Sequence, residues 1–247
     1  MVHRGESFGE YRLIRRLGVG GMAEAFVAER DRPGGVVQRV CLKRILPAHG
    51  DNPDFRAMFV EEARLAASLR HSNVVGVIDF GEVQGVHFLA LELVEGADLR
   101  AIRRDQGEVR LGPELTAQII TEVATGLDYA HRRGSLVHRD VSPSNVLISY
   151  EGEVKLSDFG IAKATSGATS SGLIKGKVPY MAPEQARAEG LDGRADLFSL
   201  GVMMHELLCG RRPFAAPTEI LVLQRILSGE REPVARTCPD ASPQLVA

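Results

Sequence analysis

His138-Arg139-Asp140, followed by Asn145 and then by Asp158-Phe159-Gly160, is a set of residues that few chemistries other than phosphoryl transfer require. A carboxylate base, an amide ligand and a carboxylate ligand are what is needed to aim a hydroxyl at a nucleotide held by Mg²⁺. Val146 to Ser149 and Val154 to Ser157 read as short strands joined by a Tyr150-Glu151-Gly152-Glu153 turn, and should pair as a hairpin. The open end of that hairpin brings Asn145 and Asp158 side by side, where both can bind a metal.

The elements that must position these residues fall into two groups. Tyr11 to Leu17 and Ala25 to Glu29 read as strands flanking a glycine turn, and Val40 to Ile45 as a third after the Asp31-Arg32-Pro33-Gly34-Gly35 break. Asn52 offers an N-cap with Pro53 at the first helical position, for a helix to about Arg70. Val86 to Leu93 is a further strand, and Glu95-Gly96-Ala97 a linker. Beyond it Ile119, Ile120, Val123, Leu127 and Ala130 recur at helical spacing, as do Leu197, Leu200, Met204, Leu207 and Leu208. A β-rich front and a helix-rich back make an α+β chain of two lobes with a cleft between them.

At 247 residues the chain can bury a sizeable core, and 44% hydrophobic with 25% charged residues describes an ordinary globular protein. A net charge of −2 without blocks of either sign argues against a generic nucleic-acid or anionic-membrane binder. The N-terminus lacks the apolar core of a signal peptide, and the most apolar helical stretch, Leu197 to Cys209, is too short to span a bilayer and carries His205 and Glu206. Cys41, Cys209 and Cys238 are scattered without metal-ligand spacing, which fits reduced thiols. The expectation is a cytoplasmic protein.

Gly18-Val19-Gly20-Gly21-Met22-Ala23 lies between two strands, so it is not the strand-to-helix turn of a dinucleotide fold. Glycines at a hairpin tip let backbone N–H groups close over phosphates, although a plain flexible hairpin has the same composition. Strand alternation puts Cys41, Lys43 and Ile45 on one face and Val40, Leu42 and Arg44 on the other. A lysine among apolar neighbours calls for an anionic partner. Phe55, Phe59, Glu62, Ala66 and Leu69 form one stripe of the following helix, which offers Glu62 as that partner while Glu61 points elsewhere.

With these pieces in order, and with Ala182-Pro183-Glu184 behind them, the chain resembles the catalytic domain of eukaryotic-type protein kinases, most like bacterial serine/threonine kinases. The resemblance implies a kinase domain over 8–247, with an N-lobe over 8–94 and a C-lobe over 95–247 that is incomplete at its C-terminal end. It implies that Mg-ATP is the phosphoryl donor, that Lys43 held by Glu62 grips the α/β-phosphates, that Asp140 orients the acceptor hydroxyl and takes its proton, and that Asn145 and Asp158 hold Mg²⁺. Leu17, Gly18, Val19, Gly20 and Gly21 would cover the nucleotide, and Ala25, Cys41 and Leu147 would sandwich adenine. The Glu92 and Val94 backbone would pair with the base, with Leu91 guarding the rear pocket. His138, Phe159 and Ala66 resemble the packed column of an assembled site, and Asp196 the anchor beneath the catalytic loop. The partners implied are proteins bearing serine or threonine, with a dimer for phosphorylation in trans.

The chain departs from the family pattern in places. The third glycine of the loop is Ala23. Ser142 stands where serine/threonine kinases usually carry a lysine that touches the γ-phosphate, and Lys177 stands where they usually carry a threonine. Hydroxyl and ammonium have changed places. The expectation is that Lys177 reaches back to Asp140, with Ser142 as its hydrogen-bond partner, so that positive charge stays near the transition state; the alternative is an exposed loop lysine and a weakened enzyme. Arg139 beside the base is the type of arginine that an activation-loop phosphate orders, with Thr169 the first expected site and Ser171 the second. The arginine that normally pairs with Glu184 is not found in its expected context before Ala247, which fits a truncated domain or a longer gene product. A nucleotide-binding pseudokinase scaffold and a small-molecule phosphotransferase are the competing readings.

Overall fold

Successive side chains of Val40-Cys41-Leu42-Lys43 point to opposite faces of the strand they form, which buries Val40 and Leu42 completely while Cys41 and Lys43 stay half-buried on the other face. The computed structural model describes residues 5–20, 23–46, 53–107, 110–134, 136–159, 177–231 and 234–237. The chain divides into two compact units, Met1–Glu95 and Gly96–Ala247.

The first unit is built on six antiparallel strands: β1 (Glu6–Phe8), β2 (Tyr11–Val19), β3 (Ala23–Arg32), β4 (Val36–Ile45), β5 (Val77–Val83) and β6 (Val86–Glu92), in the order β1-β2-β3-β4-β6-β5. One face carries a core of Phe8, Tyr11, Leu13, Phe26, Ala28, Val40, Leu42, Phe88 and Ala90. Arg44 lies on that same face, stacked over the Phe8 and Phe26 rings, with its guanidinium at 2.6 Å from Glu24 and 3.0 Å from Glu6. Strands β3 and β4 extend beyond their sequence-predicted ends because Glu29 to Arg32 pair in register with Arg39 to Val36. β5 escaped the sequence reading, and its turn explains why. Gln84 and Gly85 both take positive φ, the two-residue hairpin geometry that asparagine-glycine usually signals.

Helix α1 (Pro53–Ala67) leaves Glu61 exposed as expected, but it buries Ala63, which lies outside the expected stripe, while Phe59 and Ala66 of that stripe are half-buried. It ends three residues before the expected Arg70. Ser68 and Leu69 donate their N–H groups to Leu65 and Ala66, and the Ser68 hydroxyl bonds to Leu65 O at 2.7 Å, closing the helix with a tight last turn.

The second unit opens with β7 (Gly96–Asp98), where the sequence had suggested a linker, followed by α2 (Leu99–Asp105), capped by the Asp98 carboxylate on Ala101 N–H at 2.8 Å. β7 adds to the expected hairpin of β8 (Val146–Ser149) and β9 (Val154–Leu156) to make a three-stranded sheet. Gly96 permits this: a Cβ there would lie 1.9 Å from the Ile148 carbonyl oxygen. Helix α3 (Pro113–Gly134) buries Ile119, Val123, Leu127 and Ala130 as predicted and packs on α5 (Gly193–Cys209). The expected stripe on α5 is corrected. Leu197 is exposed and Met203 is fully buried, because the helix begins at Gly193 and is enclosed on most sides, so one stripe does not describe it. The short α4 (Pro183–Ala186), α6 (Glu219–Ser228) and α7 (Val234–Thr237) complete the described elements of the unit, in which Val178, Tyr180, Val202, Phe214, Val222 and Ile226 form a core cluster. Among the described residues no helix is long and apolar enough to cross a membrane.

Candidate active site

The loop from α3 to β8 is tied to α5 by a single buried carboxylate. Asp196, fully enclosed in the first turns of α5, accepts the His138 N–H at 2.7 Å on Oδ2 and the Arg139 N–H at 2.8 Å on Oδ1. His131, at the end of α3, adds a third contact, Nε2 to Asp196 Oδ2 at 2.7 Å. Gly193 makes room for that ring, since a Cβ would meet His131 Nδ1 at 2.6 Å. Asp192 caps the helix through the Arg194 N–H, which sets Asp196 on the inward face.

Arg139 and Asp158 both take left-handed backbone, with φ of 65° and 61°, and neither is glycine. Such residues each cost on the order of 1–3 kcal/mol and persist only where their surroundings fix them. Arg139 is fixed at both ends of its backbone: its N–H on Asp196 and its carbonyl on Gln185 Nε2 at 2.7 Å. Its buried Nε has no hydrogen-bond partner among the described residues.

His138 is fully buried. Its Nδ1 accepts the Asp140 N–H at 3.2 Å and its Nε2 faces the Ser157 carbonyl at 2.9 Å, so the proton sits on Nε2. Burial holds this imidazole below its ordinary pKa, outweighing the opposing charges of Asp196, Asp140 and Asp158. The Phe159 ring packs on it at 4.5 Å between centroids. Through Ser157 the β9 end of the hairpin is thereby tied to the loop that carries Asp140.

Asn145 closes the Pro143–Asn145 turn, which Pro143 starts. Its Nδ2 donates to the Asp140 carbonyl at 2.8 Å and to Asp140 Oδ2 at 3.0 Å, and its own carbonyl accepts the Ser157 N–H at 2.8 Å. Asp158 follows directly with an exposed side chain. The Lys177 ammonium donates to Asp140 Oδ2 and, at 3.2 Å, to Asn145 Oδ1. The Ser142 hydroxyl bonds to Ser144 at 3.2 Å and lies 3.4 Å from the Asp140 carbonyl.

In the first unit, β2 and β3 frame the glycine turn, where Gly20 N–H bonds to the Ala23 carbonyl at 2.8 Å. Ala23 lies in β3 with a φ outside the left-handed region, so its methyl group is accommodated. Leu17 and Val19 are exposed, and Ala25, Cys41 and Lys43 are half-buried with Ala25 and Lys43 directly paired across β3 and β4. Leu91 is buried, and the Glu92 N–H is committed to the Gly76 carbonyl at 2.8 Å. Val94 and Leu147 are half-buried in their respective units. Gly21, Thr169, Ser171, Cys238 and the side chain of Glu62 lie outside the described residues, so the expected Lys43–Glu62 pair does too.

Three contributors were not anticipated from the residues: His131, Gln185, and a buried group in which Tyr180 OH and Arg103, the latter at 2.8 Å, both bond to Glu206. Helical spacing places His131 one residue beyond the α3 stripe, the only sequence signal of the three. The exposed Arg194 guanidinium is held above its ordinary pKa chiefly by its hydrogen bond to Asp192, with a smaller contribution from the charge of Glu184.

This strained, carboxylate-anchored loop leads into the β8–β9 hairpin as in a protein kinase domain, and the model of that family matches residues 11–243. The chain belongs to the protein kinase domain family. It is 41% identical over 253 residues to the tyrosine-protein kinase MasK of Myxococcus xanthus, covering 98% of this chain and 39% of that protein. With the serine/threonine-protein kinase PknD of Mycobacterium tuberculosis it shares 37% identity over 232 residues, covering 93% of this chain and 34% of that protein. The crystal structure of the Mycobacterium tuberculosis PknI kinase domain superposes with a TM-score of 0.73 at 31% identity, covering 97% of this chain and 86% of that one. The chain thus spans 39% and 34% of the length of the first curated relatives it matches.

Proposed function

We propose that this chain transfers the γ-phosphoryl group of Mg-ATP to serine or threonine hydroxyls of protein substrates. The observation that carries the reading is the Asp140 carboxylate held by Asn145 on a loop hung from Asp196. Asp140 orients the acceptor hydroxyl and takes its proton. Asn145 Oδ1 and the exposed Asp158 carboxylate are hard oxygen donors of the kind Mg²⁺ prefers, and they would hold it. Bound there, the ion supplies charge neutralisation on the phosphates. Lys43, paired with Glu62, is assigned to the α/β-phosphates, and the Leu17 to Gly21 turn to covering them. Thr169 first, and Ser171 second, are proposed as activating phosphosites, because the buried Arg139 Nε offers a donor that a phosphate would satisfy.

The test is incubation of the purified chain, and of its Asp140→Asn variant, with labelled ATP and a generic protein acceptor. The wild type labels the acceptor and itself, with phosphate at Thr169 or Ser171 by mass spectrometry, and the variant labels neither alone. Wild type added to the variant labels the variant if phosphorylation runs in trans. Equal labelling by both chains, or by neither, removes the reading. A tyrosine acceptor is the second reading, favoured by the name and 41% identity of MasK. Phosphoamino-acid analysis of the labelled acceptor separates the two.

A further inference from the structure

Lys177 begins a turn whose backbone is fixed by packing. The Tyr180 N–H bonds to the Lys177 carbonyl at 3.0 Å, and Val178 and Tyr180 are buried against Val202, Phe214, Val222 and Ile226. From that base the ammonium reaches Asp140 Oδ2 and Asn145 Oδ1, while Asn145 Nδ2 bonds to the same Asp140 oxygen. Ammonium, carboxylate and amide form a closed triangle. The Lys177 side chain is 35% exposed and that of Asp140 only 7%, so the carboxylate is shielded while the lysine keeps room to move. Ser142, on the catalytic loop itself, is 2% exposed and contributes a hydroxyl but no charge.

The triangle has a consequence for the metal. Asn145 Oδ1 is the oxygen assigned to the divalent ion, and a positive charge already lies 3.2 Å from it. Two cations on one amide oxygen repel strongly in a partly desolvated site. The ammonium must therefore give up Asn145 when the ion binds, and its second contact keeps it beside Asp140. We propose that Lys177 is a positioning residue: a tethered cation that locks Asp140 to Asn145, competes with the divalent ion for Asn145 Oδ1, and stays at the base during the reaction. This rests on the assignment of Asp140 as base and Asn145 as metal ligand made above.

The experiment measures Mn²⁺ affinity by electron paramagnetic resonance, with a non-hydrolysable ATP analogue present, in parallel with steady-state kinetics on the whole chain. Lys177→Met, which keeps the length and removes the charge, should bind Mn²⁺ at least about threefold more tightly and lose at least about tenfold in kcat, with the KM for ATP little changed. Lys177→Arg should return both quantities most of the way to wild type. Affinity gained while turnover falls is a signature that neither unfolding nor a merely structural lysine produces. Unchanged or weakened Mn²⁺ binding in Lys177→Met, an undiminished kcat, or an arginine variant as impaired as the methionine one, overturns the inference. Asn145→Ala separates the two levels: if it leaves Mn²⁺ binding unaltered, the metal-ligand assignment itself fails, and the role of Lys177 with it.

Discussion

Protonating His138 would break the hook that carries Asp140, because its Nδ1 accepts the Asp140 N–H and its Nε2–H is already directed at Ser157. Burial keeps the native imidazole neutral to a lower pH than in the unfolded chain. At a pH above the usual imidazole range both states are neutral and this hook contributes fully. As pH falls through about 6.5 the unfolded chain takes up a proton that the native state refuses, so stability declines by at most about 1.4 kcal/mol per pH unit from this group. His205 is shifted in the same direction, also chiefly by burial, so the whole chain should weaken on acidification. His138→Phe should be less stable than wild type at pH 7.5 yet show a shallower loss between pH 7.5 and 5.5 in urea unfolding. A variant with the same pH slope as wild type assigns the acid sensitivity elsewhere. The candidate catalytic side chains of this loop could be picked out from spacing because the proposed chemistry calls for those residue types. The left-handed backbone of Arg139 and the Gln185 amide that secures it could not, since any residue long enough to reach a carbonyl would serve.

Elements were legible where periodicity was strong, as on α3, and illegible where one residue decides pairing. β7 is only Gly96–Asp98, too short for a pattern, and exists because Gly96 allows the Ile148 carbonyl close. The Val178–Tyr180 turn that presents Lys177 is likewise held by contacts remote in sequence. Tyr180 OH and Arg103 share the Glu206 carboxylate on α5, joining the turn to α2. Burial and the negative charge of Glu206 together keep the Tyr180 hydroxyl protonated well above the ordinary phenol range. Glu206→Ala would leave Arg103, 6% exposed, buried without its carboxylate, and should cost about 3–5 kcal/mol. Tyr180→Phe keeps the ion pair and loses one hydrogen bond, a cost of about 1–2 kcal/mol. Chemical denaturation of both variants checks the ordering; a tyrosine variant as damaged as the glutamate one would show that the hydroxyl, not the ion pair, holds the turn.

At the scale of the whole chain, the shift from strand to helix patterns in the sequence falls close to the division of the structure into two compact units after Glu95. The nucleotide and metal ion of the proposed reaction make a prediction about the stability of the chain as a whole. A ligand that binds only the native chain adds stability of RT ln(1 + [L]/Kd), about 2.7 kcal/mol at a hundredfold excess over Kd. For a chain of this size each kcal/mol shifts the apparent Tm by roughly 2–4 °C, so a saturating non-hydrolysable ATP analogue with Mg²⁺ should raise it by roughly 5–10 °C. Asp158 supplies a proposed metal ligand from an exposed position, and removing its charge leaves the core untouched. Asp158→Asn should therefore melt like wild type without ligand and lose most of the Mg²⁺-dependent part of the rise. Equal rises with Mg²⁺ and with EDTA, in wild type and variant alike, would mean that the nucleotide binds without the ion, and that the hairpin base at Asn145 and Asp158 is not where the metal acts.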